Sequence, residues 1–371
     1  MTESPAFAAA TARVMSAAGF DGARRNPLDQ DASTRSYERL VRADGRTAML
    51  MKAPRENESD GPCAPGAGEA ERMARGWNWT SRLAASRVEA FAAVSAHLRQ
   101  FGLSAPDVLA VDEAAGVAVV EDLGGGVFAF LLQDQPEEEV GLYALAGELL
   151  ASLHAAPVPA TLPAPGGVWH LLDFDRLALR VNADLFVDWV PPLLGRAAYD
   201  TATVEAHQAI TGTIIQAILS HPRALTLRDY HAENLIWLPQ RTGLAQIGLL
   251  DFQDAVHGYR AWDFTMLLHD ARRDVTPAAH EAALAAYAAA TGTSRPALEQ
   301  ELALQGAINV LRIIGIFARL IHRDGKGKYR RFMPRMVGHL RAVLREPMLA
   351  ELAAWIEEHA PLQDLTEVDR G

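Results

Sequence analysis

The order of apolar and polar residues changes character about a third of the way along the chain. Residues 6–18 repeat apolar positions at helical spacing. Residues 37–41 and 47–52 then read as two short strands around the turn Ala43-Asp44-Gly45. A loop over 53–68 carries three prolines and three glycines. After Gly76-Trp77-Asn78-Trp79 comes an amphipathic helix over 87–101, closed by Ala105-Pro106, and a second strand pair over 108–111 and 117–121. Beyond Asp122-Leu123-Gly124-Gly125-Gly126 the texture becomes helical, with Ala and Leu three and four apart from residue 137 onward. A Pro-rich stretch at 157–165 and a strand-turn-strand between 224 and 252 interrupt it. The pattern predicts an α+β chain with a small sheet-rich lobe over residues 1–122 and a larger helical lobe over 123–371.

At 371 residues the chain is long enough for two packed units, and 49% hydrophobic with 22% charged residues excludes a mainly disordered or fibrous chain. The formal net charge of −11 removes the long-range attraction on which nucleic-acid binders depend, while leaving room for a local basic pocket that holds a phosphorylated small molecule. The single cysteine, Cys63, forms no internal disulfide and no zinc site. Residues 1–20 lack the pattern of a secretory signal, and the most apolar segment, 308–321, is interrupted by Asn309, Arg312 and Arg319. The expectation is a cytoplasmic chain that engages neither nucleic acid nor membrane and shows no sign of an obligate protein partner.

The strongest chemical signal is Leu227-Arg228-Asp229-Tyr230-His231-Ala232-Glu233-Asn234, followed by Ile247-Gly248-Leu249-Leu250-Asp251-Phe252-Gln253-Asp254. An Asp, an Asn five residues later, and a second Asp at the end of an apolar run have the spacing of kinase catalytic and metal-binding segments. In that chemistry Asp229 accepts a hydrogen bond from an attacking hydroxyl, while Asn234 and Asp251 offer oxygens to Mg²⁺ bridging the phosphates of ATP.

With those segments in view, the chain resembles the aminoglycoside/choline phosphotransferase branch of the kinase-like fold. More narrowly it is similar to the anomeric kinases of N-acetylmuramate and N-acetylglucosamine used in peptidoglycan recycling. The narrower likeness is carried by Asp31-Ala32-Ser33-Thr34-Arg35-Ser36-Tyr37, Glu121-Asp122-Leu123-Gly124, Asp184-Leu185-Phe186-Val187-Asp188-Trp189, Asp251-Phe252-Gln253-Asp254-Ala255-Val256 and Gly315-Ile316-Phe317-Ala318-Arg319-Leu320. The resemblance implies a bilobal, protein-kinase-like fold with a nucleotide-binding lobe first and a catalytic, acceptor-binding lobe second. It places Ser33, Thr34 and Arg35 in a loop over the ATP phosphates, and makes Lys52 the phosphate-contacting lysine with Glu89 as its candidate partner. Glu121 and Leu123 fall at the inter-lobe hinge, where backbone groups meet adenine. Two positions depart from the pattern: Leu227 stands where kinases usually carry a His, and the Lys52 position often holds an acid in the sugar kinases.

For the acceptor, the resemblance points to the segment from residue 169 to 194, with Asp188 and Trp189, and to His231 and Glu233 beside the catalytic Asp. Carboxylates and flat rings suit a polyhydroxylated sugar, and they equally suit a cationic aminoglycoside or choline-like head group. Three functions remain open on the sequence: a sugar kinase acting on the anomeric C1 hydroxyl, a kinase of an aminoglycoside or choline-type alcohol, and a nucleotide-binding pseudokinase scaffold. Asp263, in Trp262-Asp263-Phe264, reads as a structural anchor behind the site; the basic run from 323 to 335 reads as a solvated helix end or, alternatively, as a contact for an anion such as a muramyl lactate carboxylate.

Overall fold

The computed structural model describes residues 4–28, 35–55 and 60–367. In chain order it begins with helix α1 (Pro5–Ala17) and strands β1 (Arg24–Pro27), β2 (Ser36–Val41) and β3 (Thr47–Lys52). Next come α2 (Glu69–Arg75), α3 (Trp77–Thr80), α4 (Val88–Gln100), β4 (Val108–Asp112) and β5 (Val117–Glu121). The chain continues through α5 (Phe128–Asp134), α6 (Glu139–His154), the hairpin β6 (Thr161–Ala164) and β7 (Gly167–His170), α7 (Arg176–Leu193) and α8 (Thr201–Ile218). Strands β8 (Arg223–Thr226), β9 (Leu235–Trp237), β10 (Ile247–Leu249) and β11 (Val256–Tyr259) follow. The remainder is helical: α9 (Arg260–Leu268), α10 (Pro277–Thr291), α11 (Arg295–His322), α12 (Met333–Val343), α13 (Ala350–His359) and α14 (Leu362–Glu367).

Two compact units emerge, each made of discontinuous stretches. The first comprises Met1–Leu131, Val158–Leu172 and Glu233–Val256; the second comprises Leu132–Pro157, Asp173–Ala232 and His257–Gly371.

The first unit is organised by a five-stranded antiparallel sheet in the order β1-β2-β3-β5-β4. Alternation along β3 buries Ala48 and Leu50, and along β5 Val117 and Val119, which pack with Leu40 against Phe7, Val14 and Met15 of α1. Strands β9 and β10 form a separate antiparallel hairpin, and β6 pairs with β7. The sequence pattern anticipates β2 to β5 but not β1, β6 or β7. Those three are short and rich in Arg, Pro and Gly, so no alternating apolar face marks them.

The second unit is a helical assembly. Helix α11 carries 28 residues, and 83% of its most apolar 18-residue window is buried, as in the core helix of a folded domain. Gly315 sits where α11 meets α7: a Cβ there would lie 2.5 Å from the Leu185 carbonyl oxygen. That glycine fixes how closely the two helices approach. Replacing Gly315 with Ala is expected to push α7 and α11 apart and to cost about 1–3 kcal/mol. A urea titration checks this, and an unchanged midpoint would refute the close-contact role.

Candidate active site

In the second unit, β8 runs into the loop that carries Asp229. Arg228 adopts a left-handed backbone conformation, φ 75°, which is costly for a residue with a Cβ and persists only where surrounding bonds impose it. Those bonds are visible. The buried carboxylate of Asp263, at the start of α9, accepts from the backbone N–H of Leu227 at 2.8 Å and of Arg228 at 2.9 Å. Tyr230 donates its hydroxyl to the Ala146 carbonyl at 3.0 Å, and Ala232 N–H donates to Asp270 at 3.3 Å. The Arg228 side chain is buried and lies over the Phe174 ring at 4.9 Å. Burial pushes the Asp263 carboxyl up to about 7, against the pull of the two backbone donors and of Arg228. Asp229 itself remains partly exposed, 26% at its side chain, with the Arg312 guanidinium of α11 at 3.8 Å. Arg312 is in turn held by Asn309 at 3.0 Å. His231 is buried and donates its backbone N–H to the Asp229 carbonyl at 3.2 Å.

In the first unit, the β9–β10 hairpin brings Asn234 and Asp251 to one end. Leu249 pairs with Leu235, and Leu250 N–H donates to the Asn234 carbonyl at 2.9 Å. Asp251 then turns left-handed, φ 55°, leaving the strand. Its Oδ1 accepts from Arg35 and, at 2.9 Å, from Gln253 Nε2. Burial works against the Arg35 charge, but Tyr37, Asp251 and Asp254 outweigh it and raise its pKa, so the guanidinium stays charged. Phe252 is buried and stacks on Phe91 of α4 at 4.9 Å, anchoring the turn. The Glu233 side chain is half-buried next to this hairpin.

Several sequence-derived assignments can now be placed. Ser33 and Thr34 lie outside the described residues. Lys52 reaches Glu38 on β2, not Glu89. Glu38 is buried and also takes a bidentate Arg25, at 2.5 and 2.9 Å; burial opposes its charge, yet the Arg25 and Lys52 hydrogen bonds hold its carboxyl below the usual range. Glu89, on α4, pairs with Arg55 at 2.8 Å. Cross-strand proximity in the sheet thus gives Lys52 a nearer acid than the helix does. Glu121, at the end of β5, is tied to Arg241 at 2.6 Å, and Leu123 packs with Ile236 and Leu238. On α7, Asp188 is exposed, and Trp189 lies beneath Arg323 at 5.6 Å.

Sequence reasoning missed Glu38, Asp270 and Arg312. The first two are acids distant in sequence from the motifs they serve, and Arg312 reads along the chain only as an interruption of an apolar helix. Among the described residues no group of three or more His, Cys, Asp or Glu is placed to hold a metal. One carboxylate and one amide oxygen at the end of a hairpin do suit a hard cation that keeps its waters and takes its remaining ligands from phosphates.

A family model described as the phosphotransferase enzyme family matches residues 25–300, and the chain belongs to that family. It is 46% identical over 368 residues to an N-acetylmuramate/N-acetylglucosamine kinase of Caulobacter vibrioides, covering 98% of this chain and 99% of that protein. It is 30% identical to the protein of the same name from Pseudomonas aeruginosa, over 88% of this chain and 86% of that one. The choline kinase of Cryptosporidium parvum shares the fold, with a TM-score of 0.51, 10% identity, and coverage of 90% of this chain and 93% of that one. The chain is therefore a kinase-type enzyme of the kinase-like fold, a fold that uses ATP and acts on small-molecule acceptors.

Helix α7 also carries a titratable pair. Burial raises the Asp184 carboxyl to about 6, with the charge of Asp188 one turn away adding to it. A carboxyl that binds its proton more tightly folded than unfolded stabilises the fold at low pH, and that stability is lost as pH rises from about 4 to about 6. Asp184→Asn is expected to remove this loss, gaining about 1–2 kcal/mol on wild type between pH 4 and pH 7.5. Urea midpoints across that range test it, and parallel profiles for the two proteins would contradict it.

Proposed function

We infer that this chain transfers the terminal phosphoryl group of ATP to the anomeric C1 hydroxyl of N-acetylmuramate or N-acetylglucosamine, in the recycling of cell-wall sugars. The observation that carries the reading is the 46% identity to a kinase of that name over nearly the whole of both chains, with Asp229, Asn234 and Asp251 all present. In this reading residues 1–122 hold the nucleotide, and residues 123–371 hold the catalytic loop and most of the acceptor contacts. With ATP as co-substrate, this reading sets the work in the cytoplasm.

The roles follow from the chemistry of each group. Asp229 orients the C1 hydroxyl and accepts its hydrogen bond. An anomeric hydroxyl is more acidic than an ordinary alcohol, so a carboxylate suffices as acceptor. The bond from the sugar oxygen to phosphorus forms as the bond from phosphorus to the leaving oxygen of ADP breaks. Arg312, 3.8 Å from Asp229, sets a positive charge beside that carboxylate. Asn234 and Asp251 are the oxygen donors for Mg²⁺, which when bound neutralises phosphate charge. Arg35, already beside Asp251, brings a guanidinium to the same phosphates together with Ser33 and Thr34. Lys52, steadied by Glu38, and the backbone at Glu121 and Leu123 complete the nucleotide contacts, with Glu89 bracing Arg55 nearby. His231, Glu233, Asp188 and Trp189 remain the proposed acceptor contacts.

An acceptor of the choline or aminoglycoside type has one observation in its favour, two carboxyls one turn apart on α7, the half-buried Asp184 and the exposed Asp188. A cationic acceptor would gain from them, whereas N-acetylmuramate carries a negative charge. ADP release measured with each acceptor separates the two. We expect turnover with the N-acetylated sugars and little with choline or kanamycin. Asp229→Asn should lower kcat about 10²- to 10⁴-fold with a nearly unchanged KM for ATP. Unchanged turnover in that variant would refute the mechanism.

A further inference from the structure

We propose that a cleft in the first unit, beside Asp251, is an acceptor subsite that selects sugars bearing a carboxylate, with Arg82 as the anion contact. The proposal rests on the sugar-kinase reading above and adds what distinguishes the two sugars. N-acetylmuramate is N-acetylglucosamine with a lactyl ether on O3, so a chain that prefers it needs a cation to meet that carboxylate.

The cleft holds about 220 Å³, against the roughly 10–15 Å³ that admits one water. Its walls include Cys63, Arg82, Trp169 and the catalytic-strand extension Gln253 to Val256. Three independent features suggest a ligand. The first is Gln253, 2% exposed, whose Nε2 donates to Asp251 at 2.9 Å and to Asp254 at 3.3 Å. Those two carboxylates fix the amide's orientation, since a flip would set its oxygen against them. Gln253 Oε1 then has no hydrogen-bond donor among the described residues, a costly state for a buried amide oxygen. A sugar hydroxyl or an acetamido N–H would supply the missing bond.

The second feature is backbone strain. Arg82, Ala85 and Ser86 all lie at positive φ, 59°, 50° and 63°, without a glycine among them. Three such residues within five persist only if the surroundings demand it, and strain of this kind gathers at binding sites. Asp254 imposes it, accepting from Ala84 N–H at 2.6 Å. The turn that presents Arg82 is thereby tied to the third residue beyond Asp251. The Arg82 guanidinium is oriented by the Cys63 sulfur, 2.8 Å from its Nη1.

The third feature is Trp169 of β7, half-buried in the wall, a flat face of the kind that packs on a pyranose ring. An acceptor for a donor, a guanidinium for an anion and a ring for an apolar face together describe an acylated amino sugar with a carboxylate. Asp254 does not make the cleft a cation site, because its oxygens already accept from Ala84 and Gln253.

The test is steady-state kinetics of the full chain with Mg-ATP and three acceptors: N-acetylmuramate, its lactyl amide and N-acetylglucosamine. The unaltered chain should show a KM for the acid about tenfold or more below that for the amide, the range of a charge-assisted hydrogen bond. In Arg82→Gln the ratio of kcat/KM for N-acetylmuramate over N-acetylglucosamine should fall about 10- to 100-fold, with Arg82→Lys between the two. Acid and amide used equally well by the unaltered chain would overturn the proposal without any variant having to fold. A ratio unchanged in Arg82→Gln would overturn it as well. If the unaltered chain phosphorylates neither sugar, the kinase reading itself fails and this subsite with it; turnover of both without discrimination defeats the subsite alone.

Discussion

Two peptide N–H groups, those of Leu227 and Arg228, converge on the buried carboxylate of Asp263, and the shape of the loop that carries Asp229 follows from that arrangement. A residue with a Cβ at φ 75° would relax if nothing held it. Here the carboxylate holds it, Tyr230 and Ala232 are anchored one and three residues beyond Asp229, and the Arg228 side chain is locked over Phe174. Asp229 is the residue between these anchors that remains partly open to solvent. Rigid neighbours around one accessible carboxylate are what positioning chemistry requires, because phosphoryl transfer needs orientation and charge neutralisation more than covalent help.

The first unit solves a related problem by related means. Asp251 leaves β10 in a left-handed conformation, with Phe252 buried against Phe91 and Gln253 bonded back to the Asp251 carboxylate. Its other visible partner is Arg35, which the sequence likeness assigns to the phosphate loop. A guanidinium hydrogen-bonded and ion-paired to that carboxylate ties the segment at residue 35 to the end of β10. Further along, Asp254 carries the same order into the strained turn at residues 82–86. The short acidic segment D-F-Q-D thus organises backbone well beyond itself.

Much of this was legible in the sequence. The strands β2 to β5 stand out as short apolar or β-branched runs between turns, with one face of the sheet packed on α1, and the helices of the second unit repeat apolar positions at three and four because each buries a stripe. Asp229, Asn234 and Asp251 stood out because kinase chemistry needs them at fixed spacing. The parts that were not legible depend on tertiary contact. Glu38 displaces Glu89 as the partner of Lys52 because the adjacent strand brings it closer, a fact of register and not of motif. Arg312 lies about eighty residues from the loop it faces, and along the chain it looks like an interruption in an apolar helix. The hairpin β6–β7 hides in a Pro-rich stretch whose pairing has no alternating signature.

The central claim concerns which oxygen receives the phosphoryl group, and proton-coupled ³¹P NMR of the reaction with Mg-ATP and N-acetylmuramate answers it most directly. Phosphate on C1 is coupled through oxygen to the single anomeric proton, so the account predicts a new doublet, correlated with H1 in a ¹H–³¹P spectrum, growing in step with ADP. A product resonance split by two protons, as from a C6 phosphate, or ADP formed with no sugar phosphate at all, would contradict it.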